Sequence, residues 1–253
     1  MSVITEGERF SRTGAALREM RIETGVRGFE DVVGGGLPAD RLYVVSGPPG
    51  SGKTTFAAHF VSRGALDGEK CLYLSMHESE KEIASDMAEF DIGFERALAS
   101  GRLRFLNVLS ELSEELLLPK SAGGFQSGIQ SASERIVKFV EAHDIDRLVV
   151  DSTMLLRYFY DQDENAFIQF VSALKRSKAT ALLISEMTDP SSYADEHYLA
   201  HGVIFLHNYM EDGDMQRGLQ VLKMRGTDID TDVRGLEFGT GGLVVREDGM
   251  TET

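Results

Sequence analysis

Leu42-Tyr43-Val44-Val45-Ser46-Gly47-Pro48-Pro49-Gly50-Ser51-Gly52-Lys53-Thr54 decides the fold. The apolar run Leu42 to Val45 predicts a buried strand, and Gly47 to Thr54 completes a glycine-rich phosphate-binding loop. Thr55-Phe56-Ala57-Ala58-His59-Phe60-Val61 then predicts a helix with one apolar face. A strand running through such a turn into a helix gathers backbone N–H groups and a helix N-terminus around a phosphate. Gly47, Gly50 and Gly52 leave room for the polyphosphate. Lys53 is the candidate for the β- and γ-phosphates, and the Thr54 hydroxyl for one position on Mg2+. Gly47, Pro48, Pro49, Gly50, Ser51, Gly52, Lys53, Thr54 and Thr55 form the expected nucleotide-binding set.

Outward from this loop, apolar strands alternate with helical stretches, as a parallel sheet requires. Strands are expected at Arg41–Ser46, Cys71–Met76, Leu103–Val108, Arg147–Asp151 and Ala179–Ser185, with helices at Ser79–Phe90, Glu134–Ala142 and Ala166–Arg176. Gly202–Asn208, Gly218–Met224 and Leu243–Arg246 read as antiparallel strands that finish the sheet. Residues 1–21 read as an arm or short helix, Ser121–Ser133 as a mobile connection and Glu247–Thr253 as a flexible tail, leaving one domain over 22–246.

The length of 253 residues fits one such α/β domain with a large core. A formal charge of −15 repels nucleic-acid phosphate and anionic lipid, and suits a salt-rich cytoplasm, so a halophilic source is expected. Acidic clusters stand at Asp161–Glu164, Glu211–Asp214 and Asp228–Asp232. The single cysteine, Cys71, excludes an internal disulfide, and its apolar neighbours predict burial. With neither a membrane-spanning run nor a secretory signal, the expectation is a soluble cytoplasmic protein.

Three further constellations carry chemistry. Leu148-Val149-Val150-Asp151 is an apolar strand ending in a carboxylate, which would hold Mg2+ through a bound water opposite Thr54. Ser75-Met76-His77-Glu78 ends another strand, where a hydrolase needs a group to polarise water. His77 and Glu78 are both candidates, and strand alternation would turn only one toward the γ-phosphate; a polar strand end without chemistry reads the same. Lys223 and Arg225, two apart on a strand, share a face; they are either solvated charges or paired cations for a triphosphate.

The chain resembles the KaiC branch of the RecA superfamily of ATPases. The matching residues are Thr24-Gly25-Val26, Gly28-Phe29, Gly34 to Pro38, Arg41 to Gly50, Val149 to Ser152, Arg217-Gly218-Leu219 and Val221 to Thr227. The resemblance implies a RecA-like P-loop core and a homo-oligomer, commonly a hexameric ring, with ATP and Mg2+ between subunits. It makes Lys223 and Arg225 fingers that reach the adjacent subunit's γ-phosphate. The family usually carries two carboxylates where this chain has His77 and Glu78, so slow hydrolysis through Glu78 or ATP sensing is expected. The clock protein's Ser-Thr pair of phosphorylated residues is replaced by His197-Tyr198, which argues against autokinase activity.

The leading function is therefore a nucleotide-controlled, ring-forming regulatory ATPase that can act on a protein partner. A RadA-like DNA-binding filament is the second class, opposed by the absence of Lys and Arg between Met187 and Glu196. An ATP-binding adaptor without hydrolysis is the third.

Overall fold

The computed structural model describes residues 20–108, 134–154, 156 and 164–249. Of the expected arm over 1–21, residues 1–19 lie outside the described residues and Arg21 belongs to a strand. Of the expected tail over 247–253, residues 247–249 belong to a strand and 250–253 lie outside, as do the Ser121–Ser133 connection and acidic residues 161–163.

In chain order the elements are β1 (Arg21–Ile22), α1 (Phe29–Val32), β2 (Leu37–Pro38), β3 (Leu42–Gly47), α2 (Lys53–Leu66), β4 (Cys71–Ser75), α3 (Glu80–Met87), α4 (Phe94–Ala99) and β5 (Leu103–Asn107). They continue as α5 (134–142), β6 (Arg147–Asp151), α6 (Glu164–Arg176), β7 (Thr180–Glu186), α7 (Asp195–Leu199), β8 (Gly202–Glu211), β9 (Asp214–Met224), β10 (Arg234–Gly239) and β11 (Gly242–Gly249). Nine strands form one sheet in the order β11-β10-β9-β8-β3-β7-β6-β4-β5, and β1 pairs with β2 apart from it.

From β8 to β5 all neighbours are parallel, so Gly202–Asn208, expected among the antiparallel strands, is antiparallel to β9 on one edge and parallel to β3 on the other. The return from β7 crosses over through α7, and a crossover yields a parallel neighbour. Antiparallel pairing starts at β9. There Asp212 and Gly213, both at positive φ, make a two-residue hairpin loop inside the acidic cluster Glu211–Asp214.

Alternation along β3 sorts its side chains into two cores. Tyr43 and Val45 pack under α2 with Phe56, Phe60 and Val61, while Leu42 and Val44 pack on the other face with Phe170, Val171 and Leu174 of α6. The expected helix over Ser79–Phe90 is shorter, beginning with a capping box between Ser79 and Glu82. A separate helix, α4, starts after Gly93 at φ 76. One strand start is ionic: buried Arg147 pairs with Glu69, donates to the Glu23 and Phe60 carbonyls at 2.6 and 2.9 Å, and lies over the Phe60 ring. A buried guanidinium is tolerated because these partners take up its donors. Cys71 is buried, and burial pushes its thiol up to about 12.

Candidate nucleotide site

β3 delivers the phosphate loop at the C-terminal edge of the parallel sheet, where β6 and β7 also end. A side chain at Gly47 would collide with the Leu206 carbonyl and with Ser51 Oγ. Gly50 and Gly52 adopt φ of 75° and 101°, a region that only glycine enters freely. Lys53, 7 % exposed, donates to the carbonyls of Gly47 and Pro48 at 2.8 and 3.0 Å and faces Glu186 at 3.4 Å. Ser51 Oγ is buried without a hydrogen-bond partner.

Thr54 Oγ1 donates to Asp151 Oδ2 at 3.0 Å. Tyr73 Oη donates to the same oxygen at 2.6 Å, and burial followed by the Asp151 charge pushes the Tyr73 hydroxyl well above its ordinary value. Tyr73 was not singled out from sequence, although a phenol within the apolar run Cys71–Leu74 is a signal, because buried hydroxyls require a partner. Among the described residues no group of three His, Cys, Asp or Glu side chains is placed to hold a metal. A hydroxyl and one carboxylate beside a phosphate cradle nevertheless fit Mg2+, which completes its shell with phosphate oxygens and water.

His77 and Glu78 follow β4 rather than end it. Alternation therefore does not separate them, and His77 Nε2 stands 3.7 Å from Glu78 Oε2. The Glu78 backbone is fixed by its N–H on Ser75 Oγ at 3.0 Å and by Asn107 Nδ2 on its carbonyl at 2.9 Å. Burial raises the Glu78 carboxyl above the usual range, partly offset by His77.

A second flank of the loop was not foreseen. Asn208 Nδ2 donates to the Pro49 carbonyl at 3.1 Å, and its Oδ1 is buried without a partner. The Arg217 guanidinium lies 5.1 Å from the centre of the Phe238 ring. Phe238, 37 % exposed, stands beside Gly52.

Lys223 and Arg225 do share a face, as their spacing requires, and it is the face opposite α2. Val203, the register partner of Lys223, belongs to the core packed against α6, and a bulge between Val203 and Ile204 sets that alignment. Lys223 Nζ donates to the carbonyls of His197 and Tyr198 at 3.0 and 3.2 Å, and Arg225 Nη2 to that of Tyr198 at 3.4 Å. Lys175 joins them at the Leu199 carbonyl, 2.8 Å away. Burial and the neighbouring cations lower both lysines. No carboxylate pairs with these three cations among the described residues. A groove of about 480 Å3 between α5 and α6, lined by Val137, Phe170 and Arg176, lies apart from all of these groups.

Comparison with known proteins places this geometry. The chain is 27 % identical over 219 residues to the circadian clock oscillator protein KaiC of Prochlorococcus marinus subsp. pastoris, covering 83 % of this chain and 42 % of that protein. It is 27 % identical over 220 residues to the KaiC of Synechococcus elongatus, covering 84 % and 41 %. It thus spans less than half the length of these curated relatives. The crystal structure of a KaiC-like protein from Pyrococcus horikoshii OT3 superposes with a TM-score of 0.74 at 25 % identity, covering 90 % of this chain and 99 % of that one. The family model described as "ATPase: KaiC" matches residues 22–250, and the chain belongs to that family of RecA-type ATPases.

Proposed function

We propose that the protein is an ATP-binding regulatory switch that assembles into a ring, commonly of six subunits, and hydrolyses ATP slowly. ATP lies between the phosphate loop of one subunit and Lys223 and Arg225 of the next. The observation that carries this reading is the cluster of Lys175, Lys223 and Arg225, three cations without carboxylate partners in a chain of net charge −15. Such a cluster is costly until an anion meets it. It stands on the sheet face opposite α2, so the anion it suits is not the one on its own loop.

Within a subunit, Lys53 would turn from the Gly47 and Pro48 carbonyls to the phosphates. Thr54 and Asp151 would hold Mg2+, which supplies charge neutralisation on the phosphate oxygens. Glu78 would orient the attacking water and take its proton as the bond to the leaving ADP breaks. Its raised carboxyl favours that role, while His77 occupies the place of the first of the family's two carboxylates and keeps turnover low. Phe238 and Arg217 offer a flat surface beside the loop on which a purine can stack.

Phosphate release by wild type, Glu78→Gln and His77→Glu tests the reading. Slow wild-type turnover, a loss of roughly a hundredfold in Glu78→Gln and a gain in His77→Glu are expected. Indifference to Glu78→Gln would instead favour an adaptor that binds ATP without hydrolysing it. Oligomer mass with and without Mg·ATP tests the ring, and a monomer at every nucleotide concentration would exclude it.

A further inference from the structure

Two buried residues of α7 tie this five-residue helix to the strand ends around the phosphate loop. His197 Nδ1 accepts the Ala194 backbone N–H at 3.0 Å; the imidazole proton therefore sits on Nε2 and is donated to Ser46 Oγ at 2.7 Å. Ser46 directly precedes Gly47. Glu196 accepts from Ser185 Oγ at 2.8 Å and Thr153 Oγ1 at 3.4 Å. Ser185 precedes Glu186, the carboxylate facing Lys53, and Thr153 follows Asp151 by two positions. Three segments that carry the nucleotide site thus each present a hydroxyl to α7.

The carbonyls of the last three residues of α7 hold the cations. Lys223 is bound by the carbonyls of His197 and Tyr198, and Arg225 by that of Tyr198. His197 belongs to both sets: its ring is bonded to β3 and its carbonyl to Lys223. A ligand shifts such a helix only through contacts that differ between its two placements. Lys53 supplies that difference, because its ammonium sits on the carbonyl of Gly47, next to Ser46, and a phosphate would draw it away. Packed elements answer such a change by small discrete shifts rather than by smooth deformation.

We propose that His197 is a positioning residue, coupling occupancy of a subunit's own phosphate loop to the placement of Lys223 and Arg225 against the neighbouring subunit's nucleotide. The proposal rests on the ring reading given above. It makes successive sites around the ring communicate through one short helix.

Ser46→Ala removes the link and leaves the loop, the cations and the metal-binding pair in place. In this variant Mg·ATP affinity should stay within about twofold of wild type, while the ATP concentration for half-assembly rises roughly tenfold. Added to Lys223→Ala, the same substitution should have no further effect, since the pair then acts as one unit. Wild-type assembly by Ser46→Ala, or full additivity with Lys223→Ala, would overturn the coupling. Wild-type assembly by Lys223→Ala would instead remove the ring reading, and the coupling with it. A measurement without substitution guards against misfolding of the variant. Amide hydrogen exchange across 195–200 in the wild type, below its assembly concentration, should slow on addition of Mg·ATP. Unchanged exchange there overturns the proposal.

Discussion

Thr54 and Asp151 stand 97 positions apart in the chain, yet Thr54 Oγ1 rests 3.0 Å from Asp151 Oδ2. The hydroxyl opens α2 and the carboxylate closes β6, so their meeting depends on α2 lying across the sheet. Each oxygen is pre-positioned for a cation that neither could hold alone. Tyr73 fixes the same carboxylate from beneath. Replacing Asp151 by Asn should weaken Mg·ATP binding by about tenfold or more while leaving metal-free ATP nearly unaffected. Titration calorimetry with and without Mg2+ separates the two, and an equal loss in both would place the effect in the fold.

Site sharing between subunits predicts complementation. Lys53→Ala removes the cation of the loop, and a Lys223→Ala/Arg225→Ala chain removes the partner cations on the far face. Each should lack phosphate release alone. Mixed in equal amounts, about a quarter of randomly formed interfaces would contain both intact halves. Recovered turnover in the mixture supports the shared site, and a mixture as silent as its components argues against it.

His59 predicts a pH dependence of stability. Burial holds its imidazole down to about 4 from 6.5, against a hydrogen bond with the Gly25 backbone, and Nε2 accepts the Leu243 N–H at 2.9 Å. Below pH 6.5 the unfolded chain takes up a proton that the folded chain refuses. This group's contribution is therefore complete above pH 6.5 and drains as pH falls toward 4. The slope should approach about 1.4 kcal/mol per pH unit. Denaturant melts at pH 7, 6 and 5 measure it, with His59→Gln as the flatter control.

Gly28 predicts a packing lesion at the β11 edge of the sheet. It sits at φ 82°, and a Cβ there would strike the Val245 carbonyl of β11. Next to it, the Val245 N–H donates to the Arg27 carbonyl at 2.8 Å. Gly28→Ala should therefore cost about 2–3 kcal/mol and loosen the β11 edge. A thermal melt near wild type would show that the edge can move.

The core of this fold was legible because its signals are local. The phosphate loop, the apolar runs of β3, β4, β6 and β7, and the carboxylate of Asp151 each stand out in a few consecutive residues. Three features were not legible, for three physical reasons. β10 carries Arg234, Glu237 and two glycines, so it lacks an apolar run and is a strand only because β9 and β11 flank it. Phe238, Arg217 and Asn208 come from three strands and gather beside the loop only once the sheet has formed. The apposition of His77 and Glu78 depends on where β4 stops, which periodicity fixes only to within a few residues. Asp212-Gly213 was readable: the pair is a hairpin signal that its acidic neighbours obscured.

Cys71 leaves the molecule chemically quiet toward thiol reagents. It is the only cysteine in the chain, buried in β4, with its thiol pushed up to about 12. Thiolate is the reactive form, so maleimides at neutral pH should pass it by. A single cysteine introduced at Met210, 63 % exposed near the tip of the β8–β9 hairpin, would then carry a fluorophore alone. Energy transfer between chains labelled there would follow assembly in real time, on a background that needs no cysteine removed.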